Sequence, residues 1–446
     1  MKEYNISNDI QQIIKDKFVY IYICIFLGNN IGFLLFSFYC SRKQKQMSIK
    51  AIRKDIVDTI NKTFDIKMSE KRIIVIASAV AVVAVGAYYF LSSSSEENNN
   101  RKNRKKRSTE PPLPPANVNI DPVATNKTKL KKAIQKLNEE FPKLLPRKFF
   151  NARMFNPVAI RFLQFNMLAE ALSTEPDWGG FIECPRQALD FHKFRKFRVL
   201  EEIIRYDADI IAVEECDHFY DFFLPALKSY GYDGRFFSKL NGDGSSQPRD
   251  GVALFWNTKV ITLKGMDHVY YNSDELEPGK LWSQVGVIGR FERGHCGRTF
   301  LVAATHLKAK KSIKNEKQRV HSLKQLLDKL KEMRGDNENV VVMGDFNTSP
   351  VVDYHDGECT YDMINNHSLN LKSAYKCHGG SEPEYTTCKI RKNGETCHTI
   401  DYIFIPNDAV ALSNLEIPSI DSLPKSRLPG FAYPSDHLSI GCDVLF

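Results

Sequence analysis

The chain has 446 residues, 43% of them hydrophobic, enough for one large domain with a sizeable core and room for appendages. Its formal net charge of +9 does not by itself establish a nucleic-acid-binding surface, because much of the excess lies in the first third and charges are closer to balance from Asn151 onward. Ten cysteines, eight of them after residue 150 and without regular spacing, argue against a disulfide scaffold and predict thiols.

In chain order, residues 1–72 form an N-terminal region with one apolar segment, Phe18 to Cys40. It is long enough to cross a bilayer, but Gly28-Asn29-Asn30 interrupts its centre, and spanning and non-spanning readings both stay open. Ile73 to Leu91 carries no charge and predicts a transmembrane anchor. Met47 and Met68 are alternative starts, and a start at Met68 would give a compact signal anchor. A Ser run, the basic cluster Arg101 to Arg107 and the Pro-rich stretch Pro111 to Pro115 follow, predicting a flexible linker over residues 92–150. Basic residues beside an anchor place the downstream domain in the cytosol, at the endoplasmic reticulum or mitochondrial outer membrane. Removing or skipping the N-terminal region would leave a soluble cytoplasmic protein.

Residues 151–446 alternate apolar runs with helical patterns. Strands are expected at Ile160 to Phe165, Ile210 to Val213, Val252 to Trp256, Thr299 to Thr305, Val340 to Met343 and Tyr402 to Ile405; helices at Phe194 to Tyr206 and Glu316 to Met333. The expected fold is α/β, a two-sheet sandwich flanked by helices, in a single and monomeric catalytic domain.

Polar residues follow or end these runs: Asn166, Glu215, His306, Asp345 with Asn347 after Gly344, Asp401, and the Asp436-His437 pair. Any one of them suits a turn, yet together they offer only carboxylates, amides and imidazoles, the set needed for metal-assisted phosphoryl transfer to water. Oxygen ligands favour Mg²⁺, with Mn²⁺ as a substitute. Cys377-His378, Cys388 and Cys397-His398 lack the paired spacing of a zinc site.

The GDFN and SDH motifs, in this order after the Asn and Glu edges, resemble the endonuclease/exonuclease/phosphatase superfamily. Longer strings, among them IRFLQFNMLAEAL, EPEYTTCKIR and RLPGFAYPSDHLSI, are similar to its deadenylase-like branch across residues 155–446. The resemblance implies metal binding by Glu215, Asn166 and Asp436, and water activation by Asp345. It implies phosphate contacts from Asn347 and His306, and a catalytic His437 oriented by Asp401. It further implies removal of the 2′-phosphate of NADP(H), with Lys239, Lys308, Lys310 and Arg391 binding substrate. Lys308 and Lys310, two apart on an extended run, should share a side with His306.

Three positions depart from the family pattern: Lys310 for Arg, Cys388 for Trp, and Glu214 for Gln. On a strand the Glu214 side chain should point away from that of Glu215. The same pocket suits a poly(A) 3′-exoribonuclease, though no basic track with interleaved aromatics is evident outside the linker. A second alternative is an inactive membrane-tethered scaffold, which would have no need of these polar edges together.

Overall fold

The computed structural model describes the backbone of residues 18–27 and 30–39, and residues 118–446 except 175, 241–249, 274–280 and 295–296. The chain divides into two units, residues 1–107 and 108–446. In the first, β1 (Phe18–Leu27) pairs antiparallel with β2 (Asn30–Tyr39), Leu27 opposite Asn30. Over the described residues of the apolar segment strands form, not a helix, as its β-branched and aromatic residues favour. The expected anchor at 73–91 lies outside the described residues. Among the described residues no helix is long and apolar enough to cross a membrane.

The second unit begins before the expected boundary. Residues 118–150, read from their composition as linker, include helix α1 (Lys127–Glu140), whose Leu130 and Leu137 lie seven apart on one buried face. Asn126 caps it by accepting from the Lys129 amide. Beyond it, the buried Arg147 guanidinium donates to Ser439 Oγ (2.9 Å) and lies 3.4 Å from the Glu202 carboxylate. Two buried leucines among many lysines read as a solvated tract, and only the docked partner reveals the helix.

After α1 come β3 (Ile160–Asn166), helix α2 (Lys196–Ile204), β4 (Ile210–Cys216), β5 (Tyr232–Ser238), β6 (Gly251–Asn257), β7 (Ile261–Asn272), β8 (Leu281–Arg293) and β9 (Thr299–His306). Helix α3 (Ile313–Met333), β10 (Asn339–Asp345), β11 (Leu371–Ser373), β12 (Thr387–Arg391), β13 (Gly394–His398), β14 (Asp401–Pro406), β15 (Val410–Asn414) and β16 (Ile440–Leu445) complete the order. One six-stranded sheet runs β15-β16-β3-β4-β6-β5, the other β11-β14-β10-β9-β8-β7, and β12-β13 is a separate hairpin. Phe162, Ile210, Leu254 and Ile440 of the first sheet share a core with Val287, Val302, Val341 and Ile403 of the second. This is the expected two-sheet α/β sandwich.

Each sheet contains one parallel pair, β3 with β4 and β9 with β10. A parallel connection needs a crossover, supplied by α2 in one case and α3 in the other. On α3, Leu323, Leu326, Leu327 and Leu330 are buried at helical spacing, each contributing roughly 1.5–3 kcal/mol by leaving water. Ser312 caps the helix by accepting from the Asn315 amide. Both parallel pairs end their strands at one rim, where the polar residues collect.

Candidate active site

At the end of β4 the pairing with β6 shifts, Val213 opposite Ala253 but Cys216 opposite Gly251, so β4 carries one extra residue. Glu215 sits in this bulge with φ +52. Its two oxygens accept from Asn166 Nδ2 (3.2 Å) and the Ala169 amide (3.1 Å). Glu214 instead stays in register opposite Asn166, fully buried, with Oε2 2.6 Å from Gln164 Nε2. The two glutamates therefore have different surroundings, as strand alternation predicts, and the bulge re-aims only the second.

Gly344 holds φ +150 beside the parallel strand, where a Cβ would overlap the Thr305 carbonyl oxygen. Only glycine fits there, and the next residue, Asp345, is thereby delivered to the rim. Its Oδ1 accepts from the Asn347 amide (2.9 Å) and its Oδ2 from Asn166 Nδ2 (2.9 Å). His306 Nε2 approaches the same Oδ2 at 3.6 Å and His437 Nε2 at 3.9 Å. Asp345 Oδ2 is the point at which Asn166, His306 and His437 converge.

Asp401, opposite Asp345 across the β10–β14 pairing, accepts from Thr386 Oγ1 (2.6 Å) and Gln164 Nε2 (3.1 Å) and pairs with His437 Nδ1 (2.9 Å). Asp436 pairs with Lys389 Nζ (2.5 Å) and Arg391 (3.2 Å), both on β12, and the Arg391 guanidinium lies over the Phe181 ring at 4.5 Å. Lys239 is ion-paired with Asp250.

Burial and the Asp401 carboxylate push Asp345 up to about 7. Burial alone would lower His437, but Asp401 and Asp436 outweigh it and hold the imidazole at about 9. His306 moves the other way: burial, Lys239, His437 and Lys389 keep it neutral, well below the usual range. Burial would raise Asp436, yet Lys389, His437 and Arg391 hold it well below the ordinary carboxylate range. Glu214 is raised far above its ordinary value by burial and Asp401. The rim thus carries a cationic His437 and a neutral His306 on either side of a poised carboxyl.

Asp345, Asp401 and His437 bring one ligand atom each within 4.8 Å. Both Asp401 oxygens are already engaged, so this trio reads as a hydrogen-bonded dyad facing a carboxyl. Each Glu215 oxygen accepts one hydrogen bond and keeps a lone pair, which with Asp345 Oδ2 suits a hard, oxygen-seeking divalent cation.

Of the expected site residues, Asn166, Glu215, His306, Asp345, Asp401 and His437 come together through these contacts. Asn347 joins through its backbone, its side chain donating to the Leu307 carbonyl at 3.1 Å. Asn166 acts as a strut between two carboxylates, its own oxygen accepting from the Leu168 amide. Asp436 faces two cations. The expected shared side of Lys308 and Lys310 does not hold, because β9 ends at His306 and Lys310 takes φ +75. Their carbonyls instead accept from Arg319 of α3.

The expectation of thiols fails at one pair: Cys388 and Cys397, directly opposite on β12 and β13, form a disulfide. Nine residues apart without a recognised hairpin, they offered no framework signal. Lys389 was missed because one lysine in an alternating strand looks like a solvated surface charge. Arg195 was missed too; fully buried, it donates to the Met167 and Leu168 carbonyls and to Ser173, fixing the loop after Asn166.

The Endonuclease/Exonuclease/phosphatase family model matches residues 191–437. Nocturnin of Xenopus laevis is 36% identical over 322 residues, covering 69% of this chain and 79% of its own length. Nocturnin of Homo sapiens is 38% identical over 297 residues, covering 64% of this chain and 65% of its own, just under two thirds. The solved human Nocturnin catalytic domain with bound sulfate anion is similar at a TM-score of 0.52 and 33% identity, over 67% of this chain and 97% of that one. A 2′,3′-cyclic phosphatase, ANGEL2, shares the fold at a TM-score of 0.56 and 19% identity, over 68% and 99%.

Proposed function

We propose, from the premise that the chain belongs to the endonuclease/exonuclease/phosphatase family, in its nocturnin-like branch, that it is a Mg²⁺-dependent phosphatase removing the 2′-phosphate of NADP(H). The observation that carries the choice of a small polyphosphate is the position of Lys389 and Arg391 on Asp436, with Lys239 and Lys389 both acting on His306. Such a cluster is confined, not a track, and offers cations to more than one phosphate.

In this reading Glu215 would hold the metal, with Asn166 and Asp436 beside it, and the ion would supply charge neutralisation on the phosphoryl oxygens. Asp345 orients the attacking water and receives its proton as the new oxygen–phosphorus bond forms. His437, cationic and fixed by Asp401, donates toward the phosphoryl group while the bond to the ribose 2′-oxygen breaks. His306, neutral, donates from Nε2 to the same group, and Asn347 adds an amide contact. The 2′-oxygen takes a proton from solvent and leaves as the hydroxyl, and Asp345 returns the water's proton to solvent, giving NAD(H) and phosphate. Lys239, Lys389 and Arg391 hold the remaining phosphates, with Lys308 and Lys310 at the approach. Membrane attachment through residues 73–91, with the catalytic unit facing the cytosol, completes the proposal.

The test is to incubate the purified chain and Mg²⁺ with NADP⁺ and, separately, with oligo(A) RNA. Phosphate release without RNA shortening supports the phosphatase. RNA shortening alone assigns the chain to poly(A) hydrolysis, and no turnover of either supports an inactive scaffold. Loss of membrane fractionation on deleting residues 73–91 would support the anchor.

A further inference from the structure

The loop after β3 and the segment after β4 carry a second group of ligating side chains. Glu170, His192 and His218 each offer one ligand atom, all within 4.8 Å of one another. His192 Nε2 lies 3.4 Å from Glu170 Oε1, close to the roughly 3.3 Å separating neighbouring ligands around a tetrahedral ion with bonds near 2.0 Å. His218 Nε2 lies 2.7 Å from Glu170 Oε2, a direct hydrogen bond that must open by about half an ångström to admit an ion. Glu170 and His192 are partly solvent-accessible and can make that adjustment.

His218 is built as a ligand would be. Its Nδ1 is 2.6 Å from Asp221 Oδ2, which holds the ring so that Nε2 faces Glu170, and its lone pair becomes available there once Nε2 gives up the proton it shares with that carboxylate. Its ring stacks on Phe191 at 4.1 Å, and its backbone holds φ +42. Beside it a cavity of 330 Å³, lined in part by Asp121, His192, Lys196 and Asp221, admits water for a fourth position. The one lysine on that wall, Lys196, is paired with Asp121 at 2.6 Å. Asp217, which accepts from the Glu170 amide, keeps a buried Oδ1 without a hydrogen-bond partner.

We propose that Glu170, His192 and His218 form a transition-metal site, selective for Zn²⁺ over Mg²⁺, with Asp221 as the outer partner of His218. Two imidazole nitrogens and one carboxylate are a donor set that Mg²⁺ disfavours and Zn²⁺ accepts. On binding, the proton shared between His218 and Glu170 is released to solvent. The ion would fasten the β3 loop to the β4 segment, since Ala169 donates to Glu215 at 3.1 Å and Glu170 to Asp217 at 2.5 Å. The site does not depend on which phosphate ester is hydrolysed.

The test uses the full chain, stripped with a chelator and held in excess Mg²⁺, titrated with Co²⁺ while visible d–d absorption is followed and then challenged with Zn²⁺. One Co²⁺ per chain, displaced by Zn²⁺, is expected for the parent and for Glu215→Ala. His192→Ala and Glu170→Gln should weaken it at least about tenfold with unchanged circular dichroism. His192 is mostly exposed, so its replacement leaves the fold intact. The proposal is overturned if the parent binds no Co²⁺, if His192→Ala binds it as the parent does, or if Glu215→Ala abolishes binding while His192→Ala retains it.

Discussion

Asp401 Oδ2 lies 2.9 Å from His437 Nδ1, and this bond aims the opposite ring nitrogen at Asp345, 3.9 Å away. The carboxylate both orients the imidazole and keeps it charged. Asp401→Asn preserves the shape and removes the charge, so kcat should fall by about 10²–10⁴. Retention of near-parent turnover would remove the dyad from the mechanism.

The same pair sets a pH profile. His437, raised to about 9, is cationic below that value, so kcat/KM should fall as pH rises through about 9. Asp345, raised to about 7, accepts a proton only once ionised, so activity should rise through about 7, or lower when a bound cation favours the carboxylate. A profile from pH 5 to 10 should be bell-shaped. Asp401→Asn should move its alkaline limb down, and an unmoved limb would assign that limb to another group.

Glu214 offers a stability test. Its folded-state pKa is raised, so the folded chain holds a proton that the unfolded chain releases above its ordinary value, and stability drains away as pH climbs from there. Glu214→Gln keeps an acceptor for Gln164 Nε2 and adds a donor for the Gln164 oxygen, which lacks a partner. The variant should be more stable by roughly 1–3 kcal/mol at neutral pH, with a smaller gain near pH 5, in urea unfolding at the two pH values.

Gly344→Ala should cost roughly 3 kcal/mol, because a Cβ would overlap the Thr305 carbonyl in a backbone conformation that side chains avoid. A melting temperature within a degree of the parent would show that the strand relaxes freely there.

The β12–β13 hairpin ties the redox state of Cys388–Cys397 to the placement of Lys389 and Arg391. Reducing Cys388–Cys397, or replacing Cys388 by Ala, should lower stability by about 2–3 kcal/mol and raise KM more than it lowers kcat, since Lys389 and Arg391 share β12. Under the proposed function Lys389, which pairs with Asp436, also contacts a substrate phosphate, so Lys389→Ala should raise KM about tenfold. Unchanged KM in both variants would place the substrate elsewhere.

What was legible in the sequence follows from burial. Val340 to Met343 and Ile210 to Val213 are apolar without interruption because both faces are covered, and the polar residue ending each run is visible against that background. The 12- and 13-residue strands β7 and β8 were missed: Gly286 and Gly289 break the apolar pattern, and β7 is only partly buried at the sheet edge. Lys389 and Arg195 depend on tertiary partners, and single polar residues carry no periodicity. The β4 bulge was equally hidden, though alternation alone foresaw that Glu214 and Glu215 would part.

Arg147 fastens the N-terminal arm to Ser439 and Tyr433, the residues that bracket Asp436 and His437. Any excision that starts downstream of this arginine therefore strips a counter-ion from Glu202 and unpins the strap bearing His437, even though no residue of the candidate site has been touched. An inert truncated fragment would report on its cut point.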